Sequence, residues 1–468
     1  MSRIVELFKD ISKIPRESGN EKEICDYILD FAKRNNLEAS SDKLYNVLVK
    51  KDGNNYTKSP VIIQCHTDMV CVKTDESDHD FTKDPIDLII DGDKISANKT
   101  SLGADNGIGV ALCLYLLENN DIKHPPLEVL FTTNEETGLD GASYFDTSKI
   151  KGKTLINVDG EEAGHILLSC AGGTNVFLRK KLSYEAQDTM GYEVTIKNLL
   201  GGHSGLDIGK NRLSAIHAMS RLLIKLRELK GFRLSDFEGG EANNVIPQHG
   251  KILFTVKDDQ PIKKIIKSVE NELKSEHPEE KDIIKFNLEK TKINKVFSKE
   301  LEKSIIDLFT ILPYGVQKMS QSIDGMVQTS LTNAVLKTKD DEIELEILFR
   351  SSMQSEMDYF VNKIKNMANL VKFNFEIKSS YPAWELDTDS KIKDITAQCY
   401  EELFGEKPIL ESIHAGLECA VFKEKMPNID MVSIGANIIG AHTTHEEVSI
   451  KSIDNLRMLI EKILTKLE

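Results

Sequence analysis

Histidine, aspartate and glutamate recur where apolar, extended segments of this chain stop. The run Val61–Cys65 leads straight into His66-Thr67-Asp68, and residues i and i+2 of an extended chain share a face. Asp68 can therefore accept a hydrogen bond from the imidazole nitrogen that His66 does not offer to a metal. Asp105 lies in Ser101-Leu-Gly-Ala-Asp-Asn-Gly-Ile-Gly109, a bend before a helical pattern, where Gly103, Gly107 and Gly109 permit close approach. The run Leu127–Thr133 ends in Asn134-Glu135-Glu136-Thr137-Gly138. Adjacent carboxylates on a regular strand would face opposite sides, so this pair is expected on the bend beyond it. Thr154–Val158 ends in Asp159, and near the C-terminus Gly440-Ala441 precede His442 and His445. Singly, each feature has an ordinary explanation, such as surface glutamates. Together they suit two Zn2+-type ions with one bridging carboxylate, leaving Glu135 as a general base.

Rival chemistries lack their residues. The glycine-rich bend fits neither G-x-G-x-x-G nor a P-loop, and Gly152-Lys-Thr154 has Thr147 where the P-loop glycine belongs. No H-E-x-x-H pattern marks a single-zinc protease, and no G-x-S-x-G elbow marks a serine hydrolase.

The elements that must position these residues alternate. Helices are expected at 4–14, 21–35 and 106–117, and strands at 47–50, 61–65, 127–133 and 154–158. Buried strands separated by helices predict an α/β domain with a largely parallel sheet and its ligands at the strands' carboxyl ends. The middle differs: strand 250–256 then helix 261–273, and strand 342–349 then helix 355–370, read as a weak internal repeat. The charged stretch 274–282 reads as a solvated turn. After Tyr381-Pro382 helices are expected at 390–403, 417–422 and from 452, with a strand at 430–434. The candidate metal residues fall in the two outer parts. One domain is therefore read as split, 1–183 and 381–468, with a second domain, 184–380, inserted.

The 468 residues carry 60 Lys+Arg against 75 Asp+Glu, a net charge of −15 that excludes a general nucleic-acid binder and disfavours docking to anionic lipid. No run of about 18 apolar residues predicts a membrane span, and Met1–Asp10 has no signal-peptide core. Seven scattered cysteines without a C-x-x-C pair predict a reducing, cytoplasmic setting.

Nearly end to end, the motifs resemble those of the co-catalytic zinc metallopeptidases that include aminoacylase, glutamate carboxypeptidase and di- and tripeptidases. The resemblance runs from Ile14-Pro-Arg-Glu-Ser-Gly-Asn-Glu21 and Gln64-Cys-His-Thr-Asp-Met69 through Gly201-Gly-His-Ser-Gly205 and Asn244-Val-Ile-Pro247. It continues in His414-Ala-Gly-Leu-Glu-Cys419 and Gly440-Ala-His-Thr443, and is most similar to the Xaa-His dipeptidase (carnosinase-like) branch.

That resemblance implies an α/β, phosphorylase/hydrolase-like catalytic domain with an inserted α+β lid of ferredoxin-like units, long enough to be duplicated. It implies two divalent metal ions, Zn2+ foremost, with Co2+ or Mn2+ as alternatives. His66 and Asp159 would hold one ion and Glu136 and His442 the other, with Asp105 bridging; His445 is the alternative last ligand. Asp68 would orient His66, Glu135 would be the general base for a metal-bridged water, and His203 of the lid would stabilise the oxyanion. Asn244 and Arg350 would hold the substrate's terminal carboxylate, Arg350 bidentately. The expected activity is hydrolysis of dipeptides, Xaa-His types such as β-Ala-His and others. A deacylase, carboxypeptidase or tripeptidase on the same site, or a catalytically silent metal-binding or interaction protein, are the alternatives. Expected partners are small peptides, with no nucleic acid and no membrane, and the chain is a monomer or a homodimer.

Overall fold

A computed structural model describes residues 2–54 and 58–468. They form two compact units. One comprises residues up to Cys170 with Leu386–Ser412 and Leu417–Glu468; the other comprises Ala171–Glu385 and Ile413–Gly416.

The first unit is built on an eight-stranded sheet. Its order is Glu38–Ser41, Val47–Lys51, Leu127–Thr132, Val61–His66, Thr154–Gly160, Asp430–Gly435, His165–Cys170 and Ile409–Ile413. Val61–His66 and Leu127–Thr132 are buried along their whole length, as parallel strands covered on both faces must be. Val61 stands opposite both Leu127 and Thr154, so three neighbouring parallel strands run level and finish together. The helix Ala104–Glu118 is buried on nearly every side and shares the core of these strands. A second, four-stranded sheet pairs Glu447–Ser449 with Ile438–Ile439 on one side and with Lys94–Ala97 on the other, Leu88–Asp91 completing it. The loop from 440 to 446 is thereby tied down at both ends.

The second unit is one nine-stranded antiparallel sheet with helices, and its topology is duplicated. Tyr184–Ile196, Ala215–Leu226, Arg233–Gly239, Gly250–Thr255, Ile262–Glu276 and Phe286–Phe297 follow as β-α-β-β-α-β. Their strands lie in the order fourth, first, third, second. Gly172–Lys181, Lys299–Ile311, Val327–Lys339, Glu342–Ser351, Gln354–Leu370 and Asn374–Tyr381 repeat that arrangement. The first strand of this half is separated from the rest by the whole of the other half. The two strand–helix pairs read as a repeat are the third strand and second helix of each half.

Two expectations need correction. The change of unit falls at 170/171 and 385/386 rather than 183/184 and 380/381, because Gly172–Lys181 pairs with Glu342–Ser351 and Asn374–Tyr381. The stretch 274–282 is not wholly a solvated turn. Glu280 is buried and accepts the amides of Leu213 (2.7 Å) and Leu200 (3.4 Å).

One part-buried histidine is expected to make this second unit acid-sensitive. His217 stacks on Tyr314 with ring centroids 5.3 Å apart, and burial holds its pKa down from 6.5 to about 4. The unfolded chain protonates first, so stability is lost as pH falls through 6.5 and goes on falling to about 4. Replacing His217 with Phe should remove about 3 kcal/mol of that loss, read as a flatter urea midpoint across this range. An unchanged slope would count against the buried neutral ring.

Candidate active site

Each metal-type residue of the first unit sits where the sheet ends. His66 is the last residue of its strand and is almost fully buried. Its Nε2 lies 3.1 Å from Asp105 Oδ1 and 3.2 Å from Asp159 Oδ1, and its Nδ1 faces Asp68 Oδ1 at 3.3 Å without hydrogen-bond alignment. Asp68 accepts the Glu135 amide (3.1 Å), the Glu136 amide (3.2 Å) and the Ser18 hydroxyl (2.8 Å). Asn134 takes a left-handed conformation, φ 52°, and ends its strand in a short turn that carries both glutamates, as the sequence requires. His442, φ 64°, lies in the tied loop, with its Nε2 3.0 Å from both Asp105 Oδ2 and Glu136 Oε2.

The groups fall into ligand sets. His66, Asp105 and Asp159 form one and Asp105, Glu136 and His442 another, with ligand atoms within 4.8 Å in each. Asp105 is common to both, turning one oxygen to each histidine. A further grouping joins His66, Glu135 and Glu136. His445 belongs to none of these groups, whereas His442 belongs to one.

The electrostatics call for cations. Five carboxylates face two histidines, and among the described residues none of the five has a lysine or arginine ion pair. Burial drives the Glu135 carboxyl well above the ordinary range, the charges of Asp159 and Glu136 adding to it. Burial likewise raises Glu136 and Asp159. Burial opposes ionisation of Asp105 too, but hydrogen bonds to His442 and His66 outweigh it and hold that carboxyl low. His442 is pushed up to about 11 by Asp105 and Glu136. Even two protonated histidines leave negative charge in excess, and Glu136 Oε1 is buried without a partner. This donor set fits two divalent cations.

Sequence reasoning missed several supports. Asn106 donates to Asp159 Oδ1 (2.5 Å) and accepts the Gly109 amide (3.1 Å). A Cβ at Gly109 would lie 2.1 Å from the Asn106 oxygen, which is why glycine stands there. Glu21 accepts the Asn134 amide (3.0 Å). Glu418 is fully buried between Gln64 and Thr132, and burial pushes its carboxyl up to about 8. Glu21 and Glu418 stood inside quoted motifs, but nothing in their spacing showed what they touch.

The second unit brings the other three residues together. His203 Nδ1 accepts the amides of Gly205 (3.3 Å) and Leu206 (3.1 Å), which places the ring proton on Nε2. That nitrogen lies 3.5 Å from Arg350 Nη2. Asn244 joins through its backbone carbonyl, which accepts the Ser204 amide (2.8 Å). Arg350 is buried, 6% exposed, and donates to the Tyr381 hydroxyl (2.8 Å); among the described residues its Nε has no partner and no carboxylate pairs with it. His414, unforeseen, is buried near Arg350 with its Nε2 2.8 Å from Ser330 Oγ, and burial lowers its pKa to about 3. A buried guanidinium without an acid is costly, and its planar fork suits an anion brought from outside.

Comparison with known proteins gives a consistent result. A model of peptidase family M20/M25/M40 matches residues 62–466. Cytosol non-specific dipeptidase of Escherichia coli (strain K12) is 35% identical, over 99% of this chain and 97% of its own length. The crystal structure of aminoacylhistidine dipeptidase from Vibrio alginolyticus matches with a TM-score of 0.88 at 32% identity, over 99% of this chain and 96% of that one. Aminopeptidase PepT from Bacillus cereus, at 16% identity and TM-score 0.57 over 99% of this chain and 98% of that one, shares the fold.

Proposed function

Since the chain belongs to peptidase family M20/M25/M40, we propose that it is a dipeptidase that hydrolyses short unblocked peptides, Xaa-His dipeptides among them, at a pair of divalent ions. The observation that carries this reading is the double membership of Asp105, with Glu135 beside it as a buried carboxylate that neither of its two sets requires. His66 and Asp159 would hold one ion, Glu136 and His442 the other, and Asp105 both. Bound there, Zn2+ (or Co2+ or Mn2+) supplies Lewis acidity that polarises the peptide carbonyl and acidifies water.

The remaining steps belong to the chain. Glu135, whose carboxyl burial makes more basic, takes a proton from the attacking water and returns it to the leaving amine. Asp68 orients the His66 ring and, by accepting both amides of the glutamate turn, holds the base and a ligand in place. His203, a donor at Nε2, stabilises the oxyanion, and Arg350 with Asn244 takes the substrate's carboxylate. The cytosolic relative supports placing this activity in the cytoplasm. Among the described residues no helix is long and apolar enough to cross a membrane.

The test is a substrate panel of β-Ala-His, Gly-Gly, a tripeptide and an N-acetyl amino acid, each with Zn2+ and with chelator. Cleavage of the dipeptides alone, abolished by chelator, is expected. Deacylation or tripeptide cleavage would assign the site to a sister activity, and no turnover with zinc bound would mean a silent scaffold.

Arg350→Met is expected to lower kcat/KM for a free dipeptide roughly 100-fold, mainly through KM, as loss of a buried charged partner does. Methionine fills much of the same volume and leaves no buried charge behind, so the fold should survive. The variant should also lose the preference for a dipeptide over its C-terminal amide. An undiminished preference would remove Arg350 from carboxylate binding.

A further inference from the structure

The segment that carries Asp105 is gripped from two sides by buried charges that the reading above leaves unused. Arg16, 2% exposed, comes from the N-terminal motif. Its Nη1 donates to the carbonyls of Thr67 (3.0 Å) and Asp68 (3.1 Å), and its Nη2 to the carbonyl of Gly103 (2.5 Å). Glu446, also 2% exposed, closes the loop that carries His442. Its Oε2 accepts the amides of Leu102 (2.7 Å) and Gly103 (2.8 Å), and its Oε1 those of Ala104 (2.8 Å) and Asp105 (3.2 Å). Among the described residues neither charge has an ion-pair partner. Both are compensated by the backbone dipoles of one short segment, the cation by carbonyls and the anion by amides.

The glycines of that segment are shaped to this arrangement. A Cβ on Gly103 would lie 2.5 Å from Arg16 Nη2, and one on Gly107 2.7 Å from it. The motif is glycine-rich because a guanidinium from a distant part of the chain fills the space that side chains would take. Arg16 thus joins the loop after His66 to the segment before Asp105, and Glu446 joins that segment to the loop bearing His442.

We propose that Arg16 and Glu446 are positioning residues, a charge clamp that fixes the Asp105 carboxylate between the two metal positions and so governs metal-pair affinity. The inference rests on the two-metal reading. Two unpaired interior charges are an expensive way to hold a loop, and the return is a bridging ligand held in register with histidines from two other segments.

The test measures Zn2+ affinity by competition with a chromophoric chelator for the full chain and for Glu446→Gln, Arg16→Met and the double variant. Thermal melts of the metal-stripped proteins run alongside. Glu446→Gln keeps the shape but turns an NH2 toward amide donors, and affinity should fall roughly 10–100-fold. Arg16→Met should fall comparably. The double variant should fall less than the product of the two, because both act on one segment. Turnover of Glu446→Gln should recover toward wild type as Zn2+ is raised, with KM unchanged, which a merely structural role would not produce. Should Glu446→Gln fail to fold, Arg16→Lys decides: it keeps the charge without the planar fork, and must also bind Zn2+ at least several-fold more weakly. Affinities within threefold of wild type would overturn the clamp, whatever the melts show. No Zn2+ binding by the wild-type chain would overturn the two-metal reading and the clamp with it.

Discussion

Glu135→Ala is expected to bind two metal ions per chain and to turn over dipeptides about 10³-fold more slowly or worse, a loss in kcat rather than KM. The metal should stay because the two sets that share Asp105 are complete without Glu135. Turnover should go because none of the other four carboxylates is free for the proton. Asp68 is occupied by Ser18 and two backbone amides, and Glu136, Asp159 and Asp105 are committed to the histidines. Among the five carboxylates facing the two histidines, Glu135 alone combines burial, which raises its proton affinity, with no hydrogen bond from a neighbouring side chain. Glu135→Gln should behave alike, since it keeps the volume and removes the basicity. Near-normal activity in either variant would end the mechanism.

Asp105→Asn should fail differently, by losing metal. Each carboxylate oxygen of Asp105 now faces one histidine, Oδ1 toward His66 at 3.1 Å and Oδ2 toward His442 at 3.0 Å. Asparagine supplies one acceptor and replaces the other with a donor, so a single substitution damages both positions at once. Metal content should drop from two ions to one or fewer, with activity falling in proportion. Comparison of the two variants separates binding from proton transfer: Glu135→Ala full and inactive, Asp105→Asn depleted and inactive. Two tightly held ions in Asp105→Asn would show that this carboxylate does not bridge.

Much of the site was legible because its chemistry sits at strand ends. Apolar runs mark buried parallel strands, and the polar residue that stops each run stands at the carboxyl edge of the sheet. His66, Glu135, Glu136 and Asp159 could therefore be picked out from local pattern as candidates, whereas only the fold shows that His442 and not His445 joins their cluster. The supports were hidden for the opposite reason. Arg16 meets Gly103 across 87 positions, and Glu446 meets Asp105 across 341, distances at which no periodicity speaks. The glycines announced a close approach without naming what approached.

Arg350 could have stood on an ordinary surface strand. It is buried because its strand lies between Val327–Lys339 and Gly172–Lys181 in the middle of a wide sheet. The first unit boundary was misplaced because Gly172–Lys181, the opening strand of a duplicated half, precedes the half inserted into it. The segment 413–416, which carries His414, is too short to show any pattern.

The central claim is that two ions share Asp105. Anomalous scattering from crystals grown with Zn2+ tests it most directly. Two peaks are predicted, one ligated by His66, Asp159 and Asp105, the other by Glu136, His442 and Asp105. A single peak, a peak ligated by His445, or two peaks without a shared Asp105 would contradict the account.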